Sequence, residues 1–285
     1  MESTLLRRII TGVVLAALFL LPVFEPHQFV LHMLSLVAIS ATVALGLQLL
    51  LGFSGQLSIG QAAFYGIGAY ASGLLSTKLG LPFPLAFFAA GLIAAVTSLL
   101  MVPITRLTGA YLAVATLGFS ILVYLVLKNE EWLTGGSFGL MGIPRASFFG
   151  YVLAKPAYAY LLCVSVAALV YLSLLRLERS RFGRAINAIR QNEDAARACG
   201  VKVTLLKSQC FVIAAFVAGL GGSLYAHQVR YLAPTPIGVQ LEFRAGLRSR
   251  QGRKIRIDAS ATQNGRAIAT AEGLFIAIDP ERFGA

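Results

Sequence analysis

The sequence predicts an all-α integral membrane protein, a polytopic helical bundle of about seven membrane segments with a short β-hairpin tail. Three observations lead there. Hydrophobic residues make up 57% of the chain and charged residues only 13%, where a soluble domain carries about 25% charged residues. Mean hydropathy is +0.76. The apolar residues also fall in long runs separated by short polar stretches. Spread over 285 residues, this composition supplies too little polar surface for one or two soluble domains.

Seven runs approach the ~20 residues needed to cross a ~30 Å hydrocarbon core. They are 9–24, 29–51, 60–77, 83–103, 111–127, 157–175 and 206–226. The second is uninterrupted. The third is rich in Gly and Ala and only moderately apolar, so it reads as a full span or as a re-entrant, broken helix. The first follows Arg7-Arg8, as in a signal peptide, but no small-x-small cleavage pattern follows at 20–27, which favours an uncleaved anchor. With the N-terminus cytoplasmic, the inside segments carry Arg7, Arg8, Arg106 and the eight basic residues of 176–207. The outside ones carry Lys78, Lys128, Arg145 and Lys155. That imbalance predicts a multi-pass inner-membrane protein with its N-terminus inside.

Catalytic and metal chemistry are not expected. Cys163, Cys199, Cys210, His27, His32 and His227 are scattered without ligand spacing, and Cys163 and Cys210 lie in apolar runs as small buried hydrophobes. Neither a nucleophile elbow, an HExxH helix nor a GxxxxGK[ST] phosphate loop occurs. No cofactor and no nucleic-acid partner is expected. If ATP drives this protein, another chain binds the nucleotide.

Two stretches are unusual for hydrocarbon-embedded chain. In Gly52–Gln61, polar and small residues interrupt the run. Irregular backbone at membrane depth persists only when buried in protein or facing water. One reading is a broken helix lining a path, with Gln56, Ser58 and Gln61 as hydrogen-bonding groups. The other is a cytoplasmic turn in which Ser58 caps the next helix. In 206–226, Ala214, Ala218 and Gly222 recur every four residues, as do Ala215, Gly219 and Ser223. This is a small-xxx-small face for packing within the subunit or, less simply, between subunits. The external loop 129–156 places Trp132 at an interface, and its Thr134-Gly135-Gly136-Ser137 reads as a flexible connector or a docking point.

The most polar internal stretch runs from Arg176 to Lys207 and carries eight Lys/Arg between two apolar segments. Phe182 to Cys199 predicts one helix with a partial apolar face of Ile186, Ile189, Ala195, Ala196 and Cys199, ended by Gly200 at C′. Such a helix either docks in a partner's groove or lies near anionic lipid headgroups.

Four blocks now resemble the branched-chain amino acid ABC transporter permeases. They are GLQLLLGFSGQLSIGQAAFYGIGAYASGLL, RLTGAYLAVATLGF, LTGGSFGLMGIP, and SRFGRAINAIRQNEDAARACGVKVTLLK followed by FVIAAFVAGLGGSLYAH, in family order over about residues 30–240. The resemblance implies a permease subunit without enzymatic activity, importing Leu, Ile, Val or a related small amide. Its implied partners are ABC ATPase subunits, a second homologous permease, a substrate-binding protein and membrane lipids. Residues Glu193 to Gly200 resemble the EAA-type coupling segment that seats on the ATPase, with Arg190, Glu193, Asp194, Ala195, Ala196 and Gly200 as its candidate residues. Gln56, Ser58, Gln61 and Thr116 are the candidate translocation-path residues. An acidic residue that family members often carry after the TLGF run is absent, Ser120-Ile121 standing there instead.

The resemblance stops near residue 242. Arg244, Arg248, Arg250, Arg253, Lys254 and Arg256 turn the chain basic, 254–262 alternates, Asn264-Gly265 signals a hairpin and 267–278 is strand-like. The tail resembles the last strands of a hotdog-fold thioesterase. The expected division is therefore a shortened permease domain at 1–242 and a fusion or frame-shift remnant at 243–285, without thioesterase activity. A membrane-tethered thioesterase fragment or an orphan permease is the alternative.

Overall fold

The computed structural model describes residues 17–22, 27–107, 109–136, 139–148, 151–153, 155–232, 242–251, 254–263 and 266–276. The chain divides into two compact units, Met1–Pro234 and Thr235–Ala285.

The first unit is helical. After α1 (residues 17–22) come α2 (Gln28–Gln48), α3 (Gln61–Lys78), α4 (Phe83–Ser98), α5 (Ala110–Asn129) and the one-turn α6 (Glu131–Thr134). A two-residue strand pair, β1 (Ser147–Phe148) and β2 (Tyr151–Val152), then leads to α7 (Pro156–Arg179), α8 (Arg181–Gln191), α9 (Glu193–Ala198) and α10 (Val203–Val229). Two helices change pitch at one end. α2 passes into a π-helical turn at Leu49–Phe53, and α4 into a 3₁₀ stretch at Leu99–Arg106 that contains Pro103. Proline removes a backbone donor and crowds the preceding turn, so the α4 ladder gives way there.

Among the described residues five runs are long and apolar enough to cross a membrane: Gln28–Phe53, Phe83–Thr105, Ala110–Asn129, Pro156–Arg179 and Val203–Val229. They lie where five of the seven expected segments lie. The expected segment 9–24 falls largely outside the described residues. The expected segment 60–77 is α3, an unbroken 18-residue helix that is less apolar than the five. The irregular backbone anticipated at Gly52–Gln61 lies just ahead of it, at residues 54–60.

The reason α3 is so rich in small and polar residues is its position. Ala63, Phe64, Gly68, Ala69, Tyr70, Ser72, Gly73 and Ser76 are all buried, and α3 packs chiefly on α10 and α4. A helix wrapped by protein needs close approach more than it needs lipid compatibility. A Cβ on Gly68 would stand 2.4 Å from the Gly219 Cα, and one on Gly222 would stand 2.1 Å from the Tyr65 carbonyl oxygen. The small-residue face of α10 thus packs within the subunit, on α3 and, through Gly219 beside Gly91 and Ala94, on α4. Ser72 and Ser223 share a hydrogen bond of 2.6 Å across that contact. Phe64 meets Phe211 edge-on at 5.7 Å. On the outside, Phe88, Leu92, Leu100, Val114 and Leu169 are more than 60% exposed, a cost in water that vanishes in lipid.

Residues 242–276 of the second unit form three antiparallel strands in sequence order: β3 (Glu242–Gln251), β4 (Lys254–Gln263) and β5 (Arg266–Ile276). β4 and β5 pair antiparallel over the segments of the expected hairpin, and β3 adds a third strand that was not expected. The added strand reads Glu-Phe-Arg-Ala-Gly-Leu-Arg, where Phe243, Ala245 and Leu247 alternate with polar or small residues and pair in register with Ala261, Ala259 and Ile257. Its arginines masked a period-two pattern. The turn at Asn264-Gly265 and residues 277–278 lie outside the described residues.

Two glycine substitutions separate close packing from open surface. Gly222→Val drives a side chain into backbone and is expected to cost about 3 kcal/mol or more, measured as a lowered melting temperature in detergent. Gly118→Ala on α5 meets nothing within 4 Å and should be neutral or stabilising by up to about 1 kcal/mol.

Candidate functional site

The polar stretch after α7 folds as two helices, where the sequence predicted one from Phe182 to Cys199. Ser180 is extended, and its hydroxyl accepts the Gly183 N–H at 3.2 Å, starting α8. Asn192 is extended again (φ −156°, ψ 111°), and its side-chain oxygen accepts the N–H groups of Asp194 and Ala195 at 3.1 and 3.0 Å. Asparagine competes for backbone donors so well at this position that it ends one helix and caps the next. Glu193 and Asp194 occupy the first turn of α9, where the positive end of the helix dipole favours them. At the other end Gly200 has φ +82°, with its N–H on the Arg197 carbonyl and that of Val201 on the Ala196 carbonyl. This is a Schellman closure with Gly200 at C′, as the sequence predicts.

α9 is anchored by its inner side. Ala196 is buried in a small cluster with Ile189 and Val203, while Asp194 and Ala195 are exposed. Arg197 pairs with Asp194 at 3.0 Å and Glu193 at 3.2 Å, contacts that are exposed and worth little. The second carboxylate oxygen of Glu193 receives the Lys207 ammonium at 2.5 Å. Lys207 is a different case from Arg197, because its side chain is only 8% exposed. A lysine that deep needs its carboxylate, and removing one partner strands the other charge.

These contacts run on into the irregular stretch between α2 and α3. The Lys207 backbone carbonyl accepts a hydrogen bond from Gln56 Nε2 at 3.2 Å, and the same nitrogen donates to Ser54 Oγ at 2.9 Å. Arg190 of α8 donates through Nη1 to the Gly52 carbonyl. Gly55 beside it has φ +67°, a conformation suited to glycine, and a Cβ there would meet the Arg190 side chain at 3.1 Å. Between the two stretches lies a cavity of about 210 Å³ lined by Ser54, Gln56, Arg190, Asn192, Glu193 and Lys207, among others.

The structure therefore brings Gln56 together with Arg190 and Glu193, and sets the remaining path candidates apart. The Thr116 hydroxyl accepts the Ile59 N–H at 3.0 Å and donates to the Ala113 carbonyl. The Ser58 hydroxyl accepts the Gly60 N–H at 3.2 Å. Gln61 donates to the Ala214 carbonyl at 2.9 Å. All four candidates are buried. The side-chain oxygens of Gln56 and Gln61 have no hydrogen-bond partner among the described residues. Lys207 was not among the residues singled out from the sequence. Its signal was a cation inside the first turns of an apolar helix, 14 residues after a carboxylate. In the loop after α5, Thr134 is buried and bonds the Leu127 and Glu130 carbonyls, which makes it a packed residue and not a flexible one; Ser137 lies outside the described residues.

Residues 29–247 match the family described as branched-chain amino acid transport system / permease component. The chain belongs to this family. The high-affinity branched-chain amino acid transport system permease protein LivM of Escherichia coli K12 is 33% identical over 247 residues, covering 77% of this chain and 58% of that protein. LivM of Salmonella typhimurium LT2 is 33% identical over 216 residues, 67% and 51% respectively. The autoinducer 2 import system permease protein LsrC of Escherichia coli O9:H4 is 25% identical over 247 residues, 84% and 69%. The permease spans little more than half the length of the two LivM proteins. No solved structure matches it. Family and apolar helices together make this permease a multi-pass membrane protein.

The cap defines a local test. Asn192→Ala is expected to cost about 1 kcal/mol, visible as faster amide exchange over residues 192–198 with little change in the melting of the helical bundle, and Asn192→Asp should restore protection.

Proposed function

We propose that this chain is the membrane-spanning subunit of an ATP-driven importer of branched-chain amino acids in the inner membrane, with its N-terminus cytoplasmic. Hydrolysis belongs to separate ATPase subunits, and a second homologous permease and a substrate-binding protein complete the assembly. Family membership supports the transport role, and the two LivM relatives support the substrate class. In this reading Asp194 and Ala195 on the outer side of α9 face the ATPase, while Arg190, Glu193, Ala196 and Gly200 hold the short helix in shape. Gln56, Ser58, Gln61 and Thr116 order the stretch that borders the translocation path.

The observation that carries this reading is the continuous chain of contacts from Glu193 to Lys207 to Gln56, with Arg190 on Gly52 alongside it. A push on α9 reaches the irregular stretch through polar bonds, of which the one from Gln56 to Lys207 is buried. ATP binding can bias the transporter only through a difference in contacts between its states, and these contacts are suited to differ. The likeness of the tail to a thioesterase gains nothing from the family match, which is to permeases, and no thioester chemistry is proposed.

Affinity purification of the tagged chain from native membranes tests the assembly: an ABC ATPase and a second permease should be recovered with it. Recovery of the chain alone, where a full-length relative holds its complex, defeats the proposal. Lys207→Met tests the coupling. It should leave the ATPase bound while lowering leucine transport about tenfold, roughly 1.4 kcal/mol, and Lys207→Arg should recover part of the loss.

A further inference from the structure

The corner where α7 gives way to α8 carries four arginines within nine residues. Arg176 and Arg179 lie in the last turn of α7, and Arg181 and Arg184 in the first turn of α8. All four are exposed. Like charges this close repel one another, and among the described residues none of the four forms an ion pair. The one carboxylate in the stretch, Glu178, stands two residues from Arg176. That spacing turns it about 200° round the helix, to the other side of α7.

The corner itself is fixed. Beyond the Ser180 cap, a Cβ on Gly183 would stand 2.3 Å from the Glu178 carbonyl oxygen, so the two helix ends meet backbone to backbone. Arg184 Nη1 donates to the Arg179 carbonyl at 3.0 Å, which lays its guanidinium across the end of α7. Arg176 and Arg179 suit their place, because the last turn of a helix favours cations. Arg181 does not. It opens α8, where the positive end of the helix dipole disfavours a cation, whereas α9 opens on Glu193 and Asp194. A charge set against its own helix is a local conflict of the kind found at functional sites, and an anion at the corner would relieve it.

The surface leading to the corner is apolar. Leu169, Leu172, Arg176 and Arg179 follow at spacings of three, four and three, which sets them along one face of α7. Leu169 is 67% and Leu172 46% exposed, within a helix long and apolar enough to cross a membrane. At ~1.5 Å per residue Arg176 stands about 10 Å further along the axis than Leu169. One strip of the helix therefore presents hydrocarbon first and positive charge next.

We propose that the α7–α8 corner binds an anionic phospholipid, its phosphate among Arg176, Arg179, Arg181 and Arg184 and an acyl chain along Leu172 and Leu169. Basic clusters at the ends of membrane helices attract anionic headgroups, and guanidinium groups match phosphate by planarity and paired donors. A soluble partner would neutralise the arginines but would not cover the two leucines within the span. The inference needs only the membrane embedding of the bundle and takes nothing from the importer reading.

Native mass spectrometry of the full chain in detergent tests it, with phosphatidylglycerol and phosphatidylcholine of the same acyl chains offered at equal concentration. Phosphatidylglycerol adducts should exceed phosphatidylcholine adducts about tenfold. The double variants Arg176→Gln/Arg179→Gln and Arg181→Gln/Arg184→Gln should each cut that preference about threefold or more. Lys202→Gln, which removes an exposed cation beyond the corner, should leave it unchanged. Arg181→Gln alone should melt no lower than the parent, because it takes a cation away from the positive end of α8, and it should still lower the preference, which separates lost binding from lost folding. Equal adducts of the two lipids, an undiminished preference in both double variants, or an equal loss in Lys202→Gln overturns the proposal. Displacement of the lipid by millimolar glycerol 3-phosphate also overturns it, by making the corner a site for soluble phosphates. So does loss of a copurifying ATPase from the double variants with the lipid preference intact, which would give the corner to a protein partner.

Discussion

A buried backbone N–H or C=O must find a partner within the protein, and the stretch between α2 and α3 is where that demand is hardest to meet. Helical bonding lapses after the π turn at Leu49–Phe53 and resumes at Gln61. Each neighbour supplies part of the difference. Gln56 N–H reaches back to the Leu50 carbonyl, Arg190 takes the Gly52 carbonyl, and Thr116 takes the Ile59 N–H. Gln56 and Gln61 in turn bond carbonyls of α10. Elements from four separate parts of the chain thus converge on residues 54–60 and their edges, a stretch without helix or strand of its own.

The same demand explains the division of labour among helices. α10 carries the small residues that let α3 and α4 approach to backbone contact, and it also carries Lys207 and His227 near its two ends. It is buried over 61% of its most apolar window, against 28% for α5 and α7. α10 is therefore the axis of the unit, and a change at either end of the bundle meets the same rigid rod.

Much of this was legible in the sequence, and what was not has physical causes. Long apolar runs located five helices because length and composition alone govern that signal. The spacing of Ala214, Ala218, Gly219 and Gly222 announced a packing face, though not which helix it would meet. Gly200 announced the end of α9, because few other residues accept φ +82°. Asn192 was passed over, since the residues on both sides favour helix and only its capping bonds decide the break. Glu193 was read as facing a partner, whereas one of its oxygens faces inward to Lys207, a pairing between residues on different helices that no local pattern records. The strand at 242–251 was hidden by its charge. Ser58 was picked for polarity at membrane depth and Thr116 through the family resemblance, and the polarity of both is spent largely on neighbouring backbone.

α3 has a consequence for how the chain reaches the membrane at all. A segment this moderately apolar has little tendency to leave the insertion machinery for lipid unaided, since glycine, serine and glutamine all oppose transfer into hydrocarbon. Its main partner, α10, is synthesised more than a hundred residues later. During that interval α3 must shelter against α4 or stay at the edge of the insertion channel. Biogenesis of this protein is then a matter of order and waiting, with the central helix the last to be secured.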